Sequence, residues 1–287
     1  MTCERSIAET GISVYPIGLG GMPLSIAGRP AEAQAIAVVD AFVANGGNFI
    51  DTANVYCLDD SDIGHNARLI HKTLQRAARG DAVIVATKGG LTRPRGRWEV
   101  DARPESLRRS CEQSLAVLGT NAITLYQLHA VDPQVDLAES LGELVRLRQE
   151  GKILHIGVSN VSRRELDYAC RCTTIVSVQN RCNVFTTTDF KNGLIETCRE
   201  RGIAYIPYGP VGGHNGHLRL AKSAPLQRLA TKHGVSVYRI ALAWLLAKGD
   251  HILPIPGASK VTSIRDSLMA PSVRLAAEDV AVLDAMA

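Results

Sequence analysis

The chain has 287 residues, 46% of them hydrophobic and 21% charged, with 32 basic against 28 acidic side chains for a net charge of +4. No apolar run reaches membrane length, no secretory leader is visible, and the basic residues gather into no stripe; a spanning helix, an exported protein and a nucleic-acid surface are all disfavoured. The seven cysteines (3, 57, 111, 170, 172, 182 and 198) are odd in number and irregular in spacing, and the Cys170-x-Cys172 pair lacks a second pair, so reduced core thiols in a cytoplasmic protein are expected rather than a metal cage.

Taken in order, residues 6–14 carry turn chemistry at Thr10-Gly11 between weakly alternating segments and read as a hairpin ahead of the main fold. Ile17-Gly18-Leu19-Gly20-Gly21 is a short glycine-rich strand end. It is no dinucleotide fingerprint, because the third glycine position holds Pro23. Helical periodicity over 30–44 stops at Asn45-Gly46-Gly47, and the apolar run Phe49-Ile50 delivers Asp51, followed five residues later by Tyr56. A second helix is expected over 62–79, then a strand over 82–87 that ends at Lys88. The loop 89–101 follows, with Trp98 and with Arg93, Arg95 and Arg97, which read as solvated surface.

Pro104 opens a helix that ends at Gly119; the strand 123–128 ends at His129; helix 137–150 stops at Gly151. Strands at 153–158, 175–178, 203–208 and 251–255 alternate with helices at 161–172, 189–200, 226–233 and 235–247, and helices at 260–270 and 277–286 close the chain. The glycine-rich stretch 209–216 reads as a loop.

Eight strands, each followed by helix with no linker between them, predict an α/β fold: one (β/α)8 TIM barrel spanning 1–287, with an N-terminal hairpin and extra C-terminal helices. In such a barrel the carboxyl ends of the strands carry the site. Asp51, Lys88, His129, Ser159, Asn160, Gln179 and Tyr208 all fall there. Taken singly, each has a plain structural role: a capping acid, a snorkelling amine, a packed phenol, a buried imidazole. Taken together they suit carbonyl reduction. A phenol with pKa near 10 is a weak acid, but an ammonium beside it favours the phenolate and brings the pKa toward the working range. Lys88 is that ammonium, Asp51 holds it, and His129 donates to the carbonyl oxygen.

The chain resembles the aldo-keto reductases along nearly its whole length. The resemblance is carried by Gly18-Leu19-Gly20, Phe49-Ile50-Asp51-Thr52-Ala53 with Tyr56, Ala86-Thr87-Lys88, Leu125-Tyr126-Gln127-Leu128-His129, Gly151-Lys152-Ile153, Ile156-Gly157-Val158-Ser159-Asn160, Val178-Gln179-Asn180 and Ile255-Pro256-Gly257-Ala258. It implies a catalytic tetrad of Asp51, Tyr56, Lys88 and His129, with Tyr56 the proton donor, and no metal.

The resemblance also implies a nicotinamide coenzyme lying over the rim. Ser159, Asn160 and Gln179 would hold its carboxamide and Tyr208 would stack on its ring, with further contacts from Gly21, Met22, Gly209, Pro210, Gly212 and Gly257. Ser259, Lys260, Arg265 and Asp266 lie where relatives hold the adenosine 2′-phosphate and adenine, which favours NADPH over NADH. Asp266-Ser267 replaces the family's frequent Glu-Asn, and Ser263 stands where a basic or polar residue is common.

Met22, Asn54, Trp98, Arg181 and Asn183 are expected to border a pocket for a small carbonyl compound, and Cys57 to be a small filler beside Tyr56. Oxidation of a sugar or alcohol is the same chemistry in reverse. Two other readings share the barrel: a nicotinamide-binding regulatory subunit, and a Schiff-base aldolase with Lys88 as nucleophile.

Overall fold

The computed structural model describes residues 4–286, apart from the side chains of 214 and 215; Cys3 lies outside the described residues. A short antiparallel hairpin, β1 (Arg5–Ser6) with β2 (Ser13–Val14), comes first. The barrel elements then alternate: β3 (Leu19–Gly20), α1 (Glu32–Ala44), β4 (Phe49–Asp51), α2 (His65–Leu74) and β5 (Ile84–Gly89). A small hairpin of β6 (Leu91–Thr92) and β7 (Glu99–Val100) leads into α3 (Pro104–Leu118), β8 (Ile123–Leu128), α4 (Leu137–Gln149), β9 (Ile153–Ser159), α5 (Arg163–Cys172) and β10 (Ser177–Gln179). The rest is α6 (Thr188–Lys191), α7 (Leu194–Glu200), β11 (Ala204–Tyr205), α8 (Gly213–Ala221), α9 (Ala224–His233), α10 (Val237–Ala247), α11 (Val261–Leu268) and α12 (Ala277–Asp284).

Seven strands form a parallel sheet in the order β11-β10-β9-β8-β5-β4-β3. The expected eighth strand is present as a stave rather than a regular strand. Bridges Tyr205 to Ile252, Tyr208 to Ile255 and Gly20 to Gly257 join residues 252–257 to both edges of the sheet and close the barrel. Pro254 and Pro256 lack the N–H groups a full ladder needs, yet their carbonyls accept from Gly18 (2.9 Å) and Gly20 (3.1 Å). Pro207 cuts β11 short for the same reason.

Inside the barrel, Phe49, Ala86, Leu125, Val176, Ala204 and Leu253 fill the lower layer, and Ile7 and Val14 of the first hairpin plug it from below. The larger apolar clusters lie between barrel and helices. Side chains at the carboxyl ends of the strands are therefore held by a packed base, with the polar rim above.

Four expected elements differ, the first being the loop expected over 89–101, which carries the hairpin of β6 and β7. The helix expected over 62–79 begins only at His65 and stops at Leu74, with short 3-10 turns at 60–62 and 80–82 on either side. The helix expected over 189–200 is broken in two at Gly193, whose φ of 77° no helix residue adopts. Part of the glycine-rich stretch expected as loop is the first turn of α8.

Candidate active site

Strand register assembles the site. Parallel pairing sets Asp51 beside Ala86, Lys88 beside Gln127, and Ser159 beside Gln179, so the five neighbouring strands β4, β5, β8, β9 and β10 carry polar side chains at their carboxyl ends. Gly157 makes room for this: a Cβ there would lie 2.2 Å from Ser177 Oγ and 2.9 Å from the Gln127 side chain.

Lys88 is fully buried and donates from Nζ to Asp51 Oδ2 (2.5 Å), to the Thr52 carbonyl (3.0 Å) and to Tyr56 Oη (3.0 Å). An ammonium has three donors, and all are spent. Asp51 is 2% exposed; its other oxygen accepts from Gln179 Nε2 at 2.8 Å and Gln127 Nε2 at 3.3 Å. The Tyr56 ring meets His129 edge-on at 5.8 Å between centroids and Trp98 at 6.4 Å. Asp51, Tyr56, Lys88 and His129 are thus brought together as the sequence analysis expects.

Electrostatics correct one expectation. Burial pushes the Tyr56 phenol above its usual pKa, and the Lys88 charge offsets this only in part, so the phenol is held protonated rather than drawn toward neutrality. For Lys88, burial alone favours loss of the proton, but Asp51 and Tyr56 outweigh it and the amine stays charged. A charged amine is no nucleophile, which disfavours the Schiff-base reading. Burial, reinforced by Lys88, lowers the His129 pKa well below the ordinary histidine value and keeps the ring neutral.

Asn160 takes a positive φ of 56° and donates from Nδ2 to the His129 carbonyl at 2.9 Å, while Tyr208 Oη donates to its Oδ1 at 2.8 Å. Ser159 sits beside it, Asn160 Nδ2 lying 3.2 Å from the Ser159 hydroxyl. Gln179 spends its amide nitrogen on Asp51, leaving its oxygen as the free acceptor. Gly21 fits against Asn66, whose Oδ1 a Cβ would approach to 2.5 Å, and Met22 packs on the Ala53, Val55 and Tyr56 cluster. Gly209, Pro210 and Gly212 form the turn into α8, held by Asn183 Nδ2 donating to the Gly209 carbonyl at 3.0 Å.

Gly257 bridges Gly20; Ser259 and Lys260 stand exposed just ahead of α11, and Arg265 stands exposed in its last turn. Asp266 departs from this group: its carboxylate accepts from Ser236 and from Arg239 Nη2 (2.6 Å), tying α11 to α10. Asn54, expected at the substrate pocket, lines a cavity of about 360 Å³ between α2 and α3. Cys57 is fully buried with its thiol pushed up to about 11 by that burial, in keeping with a filler.

Sequence reasoning missed Gln127, although it lies two residues before His129 and a strand returns to the same face every second residue. It also missed the Thr52 carbonyl, and Asn66, which accepts from Thr52 Oγ1 at 2.6 Å and donates to the Gly21 carbonyl at 2.8 Å. Arg93, read as solvated, is 5% exposed.

The family model described as "Aldo/keto reductase family" matches residues 16–287. The chain belongs to the aldo/keto reductase family. A probable aldo-keto reductase 1 of Glycine max is 30% identical over 302 residues, covering 95% of this chain and 85% of that one. Among solved structures, a thermostable aldo-keto reductase in complex with the inhibitor epalrestat superposes with a TM-score of 0.83 at 27% identity, covering 99% of both chains. A Klebsiella pneumoniae aldo-keto reductase in complex with NADPH has a TM-score of 0.83 at 24% identity, covering 99% of this chain and 95% of that one. The chain is an oxidoreductase of the aldo-keto reductase type on the barrel of that family. Among the described residues no helix is long and apolar enough to cross a membrane.

Proposed function

We propose that this reductase reduces a small aldehyde, ketone or sugar carbonyl with NADPH, and that Tyr56 is the proton donor. The observation that carries the reading is the commitment of Lys88. With its three donors given to Asp51, Thr52 and Tyr56, the Tyr56 oxygen is an acceptor toward Lys88, and no described protein group takes the phenol's own proton. That proton is left for a carbonyl oxygen.

The donor set suits a nicotinamide coenzyme. Ser159, Asn160 and the Gln179 oxygen offer the donors and acceptor that a carboxamide needs, and Tyr208 borders them. The turn 209–212 at the start of α8 and the exposed Ser259, Lys260 and Arg265 suit the phosphates, the two cations favouring NADPH. The coenzyme, when bound, supplies the hydride that the carbonyl carbon accepts.

The protein does the rest. Neutral His129 donates a hydrogen bond to the carbonyl oxygen and, being uncharged, does not compete with Lys88 for Asp51. As negative charge grows on that oxygen, Tyr56 releases its proton to it. Lys88, fixed by Asp51, stabilises the phenolate left behind. Gln179 and Gln127 hold the second Asp51 oxygen so that the pair does not rotate. Tyr56→Phe tests the reading: NADPH consumption with a panel of aldehydes, ketones and sugars, with NADH as control, is expected to fall by about 10² to 10⁴ while NADPH binding, read by fluorescence, is unchanged. A variant that keeps its rate refutes Tyr56 as the donor.

A further inference from the structure

Asn66, in the first turn of α2, is fully buried, and none of its side-chain hydrogen bonds goes to its own helix. Its Nδ2 donates to the Gly21 carbonyl and to Ser25 Oγ, both at 2.8 Å, and its Oδ1 accepts from Thr52 Oγ1 at 2.6 Å. A carbonyl can only accept, so Gly21 fixes which end of the amide faces it, and the Thr52 hydroxyl is then the donor at the other end. The approach is close: a Cβ on Gly21 would lie 2.5 Å from Asn66 Oδ1. Helix α2 packs outside the barrel against α1 and α3, yet through this one side chain it reaches two segments of the rim.

Both segments lead to the reacting centre. Thr52, fully buried, is held at three points: its N–H donates to the Ala86 carbonyl at 2.8 Å, its hydroxyl donates to Asn66, and its carbonyl accepts from Lys88 Nζ at 3.0 Å. Among the three acceptors of Lys88 that carbonyl is the backbone one, so its direction follows the Thr52 peptide. A tilt of the peptide turns the ammonium and disturbs its 3.0 Å bond to Tyr56 Oη. On the other side, the Gly21 N–H donates to the Asp51 carbonyl at 2.8 Å, and Gly21 precedes Met22, which packs on Ala53, Val55 and Tyr56. The Gly21 carbonyl already accepts from the Leu24 N–H at 3.0 Å. The bond from Asn66 is therefore not needed to keep a buried acceptor from being orphaned; what it adds is a fixed position.

We propose that Asn66 is a positioning residue for the reductase: through the Thr52 peptide it aims Lys88 at Tyr56, and through the Gly21 carbonyl it holds the Gly21-Met22 strip against the coenzyme. The proposal rests on the reductase reading above and deepens it. One amide thereby sets the place of the proton donor and of the coenzyme relative to each other.

The test uses wild type, Asn66→Ala, Thr52→Val and Thr52→Ser, and reads kcat with the best carbonyl compound of the panel at saturating NADPH, NADPH binding by fluorescence, and Tm. Thr52→Val removes the hydroxyl at nearly constant shape and leaves Asn66 on Gly21; its kcat is expected to fall by about tenfold while its Kd for NADPH stays within about twofold. Thr52→Ser, which keeps the hydroxyl, is expected to lose less than about threefold in kcat. Asn66→Ala releases both segments and is expected to lose about tenfold in kcat and about tenfold in NADPH affinity. The two Thr52 variants decide the matter if Asn66→Ala does not fold. Variants that lower Tm but keep wild-type kcat and Kd overturn the proposal, leaving Asn66 as a structural tie and the reductase reading intact. Equal losses in Thr52→Val and Thr52→Ser overturn it too, because the hydroxyl is then not the cause. Wild type that binds NADPH but turns over no carbonyl compound overturns both.

Discussion

Replacing Lys88 by Met keeps the length of the side chain but removes its charge, and the structure sets the size of the effect. Asp51, 2% exposed, loses its partner at 2.5 Å and keeps only the amides of Gln179 and Gln127. A carboxylate stranded this way either stays charged at a cost of about 3–5 kcal/mol or takes up a proton. Protonating an aspartate of ordinary pKa near 3.9 at pH 7 costs about 4 kcal/mol, so about 4 kcal/mol bounds the destabilisation. The bound depends on pH. The part of the loss that comes from an uncompensated buried charge is smaller in acid than at neutral pH, by up to about 1.4 kcal/mol per pH unit, because a buried charge without its partner is relieved by taking up a proton. Urea unfolding of wild type and Lys88→Met between pH 5 and 8 reads the gap directly. Adding Asp51→Asn is expected to recover most of the lost stability but none of the activity, which falls by about 10² to 10⁴ in either variant. A gap that does not change with pH, or a double variant no more stable than Lys88→Met, refutes the buried-pair reasoning; a Lys88→Met enzyme with near wild-type kcat refutes the catalytic reasoning.

Gly21→Ala is expected to cost about 1–3 kcal/mol and to weaken coenzyme binding, because the new methyl would stand 2.5 Å from Asn66 Oδ1 and 3.0 Å from the Asp51 carbonyl; denaturation and NADPH titration check both. His129 is held neutral in the fold, so its contribution to stability is present above the unfolded histidine pKa of about 6.5 and is lost as pH falls below it. His129→Gln is therefore expected to flatten the acid side of the stability profile by up to about 1.4 kcal/mol per pH unit, and an unchanged slope contradicts the assignment. At neutral pH iodoacetamide is expected to alkylate exposed Cys172 and to spare Cys57, whose thiol is buried and raised to about 11; mass mapping that finds Cys57 modified first overturns the filler assignment.

The strand ends were legible because the signal is local: an apolar run closing on one polar residue reads the same before and after folding, as at Asp51, Lys88 and His129. The eighth stave was legible as extended chain but not as a bridge-only stave, since its form depends on which N–H groups Pro254 and Pro256 withhold from neighbours far away in sequence. Gln179 illustrates a sharper limit. Its place at a strand end is readable, but its amide nitrogen turns to Asp51 across 128 positions of chain. The same holds for Asp266, which looks like part of an exposed helix start and is instead engaged by Arg239.

Arg93 shows why such residues escape a reading by segment. Arg93, Arg95 and Arg97 share one loop rich in glycine and proline, and composition gives no reason to separate them. The fold does so by bringing the backbone after Tyr56 against this loop: the carbonyls of Cys57 and Leu58 meet the first arginine, whereas Arg97 pairs with exposed Glu99. Burial of a charge is thus decided by what the rest of the chain leaves unpaired. In this barrel the turn that follows Tyr56 leaves two carbonyl groups to be satisfied, and satisfying them buries a guanidinium against the Trp98 ring.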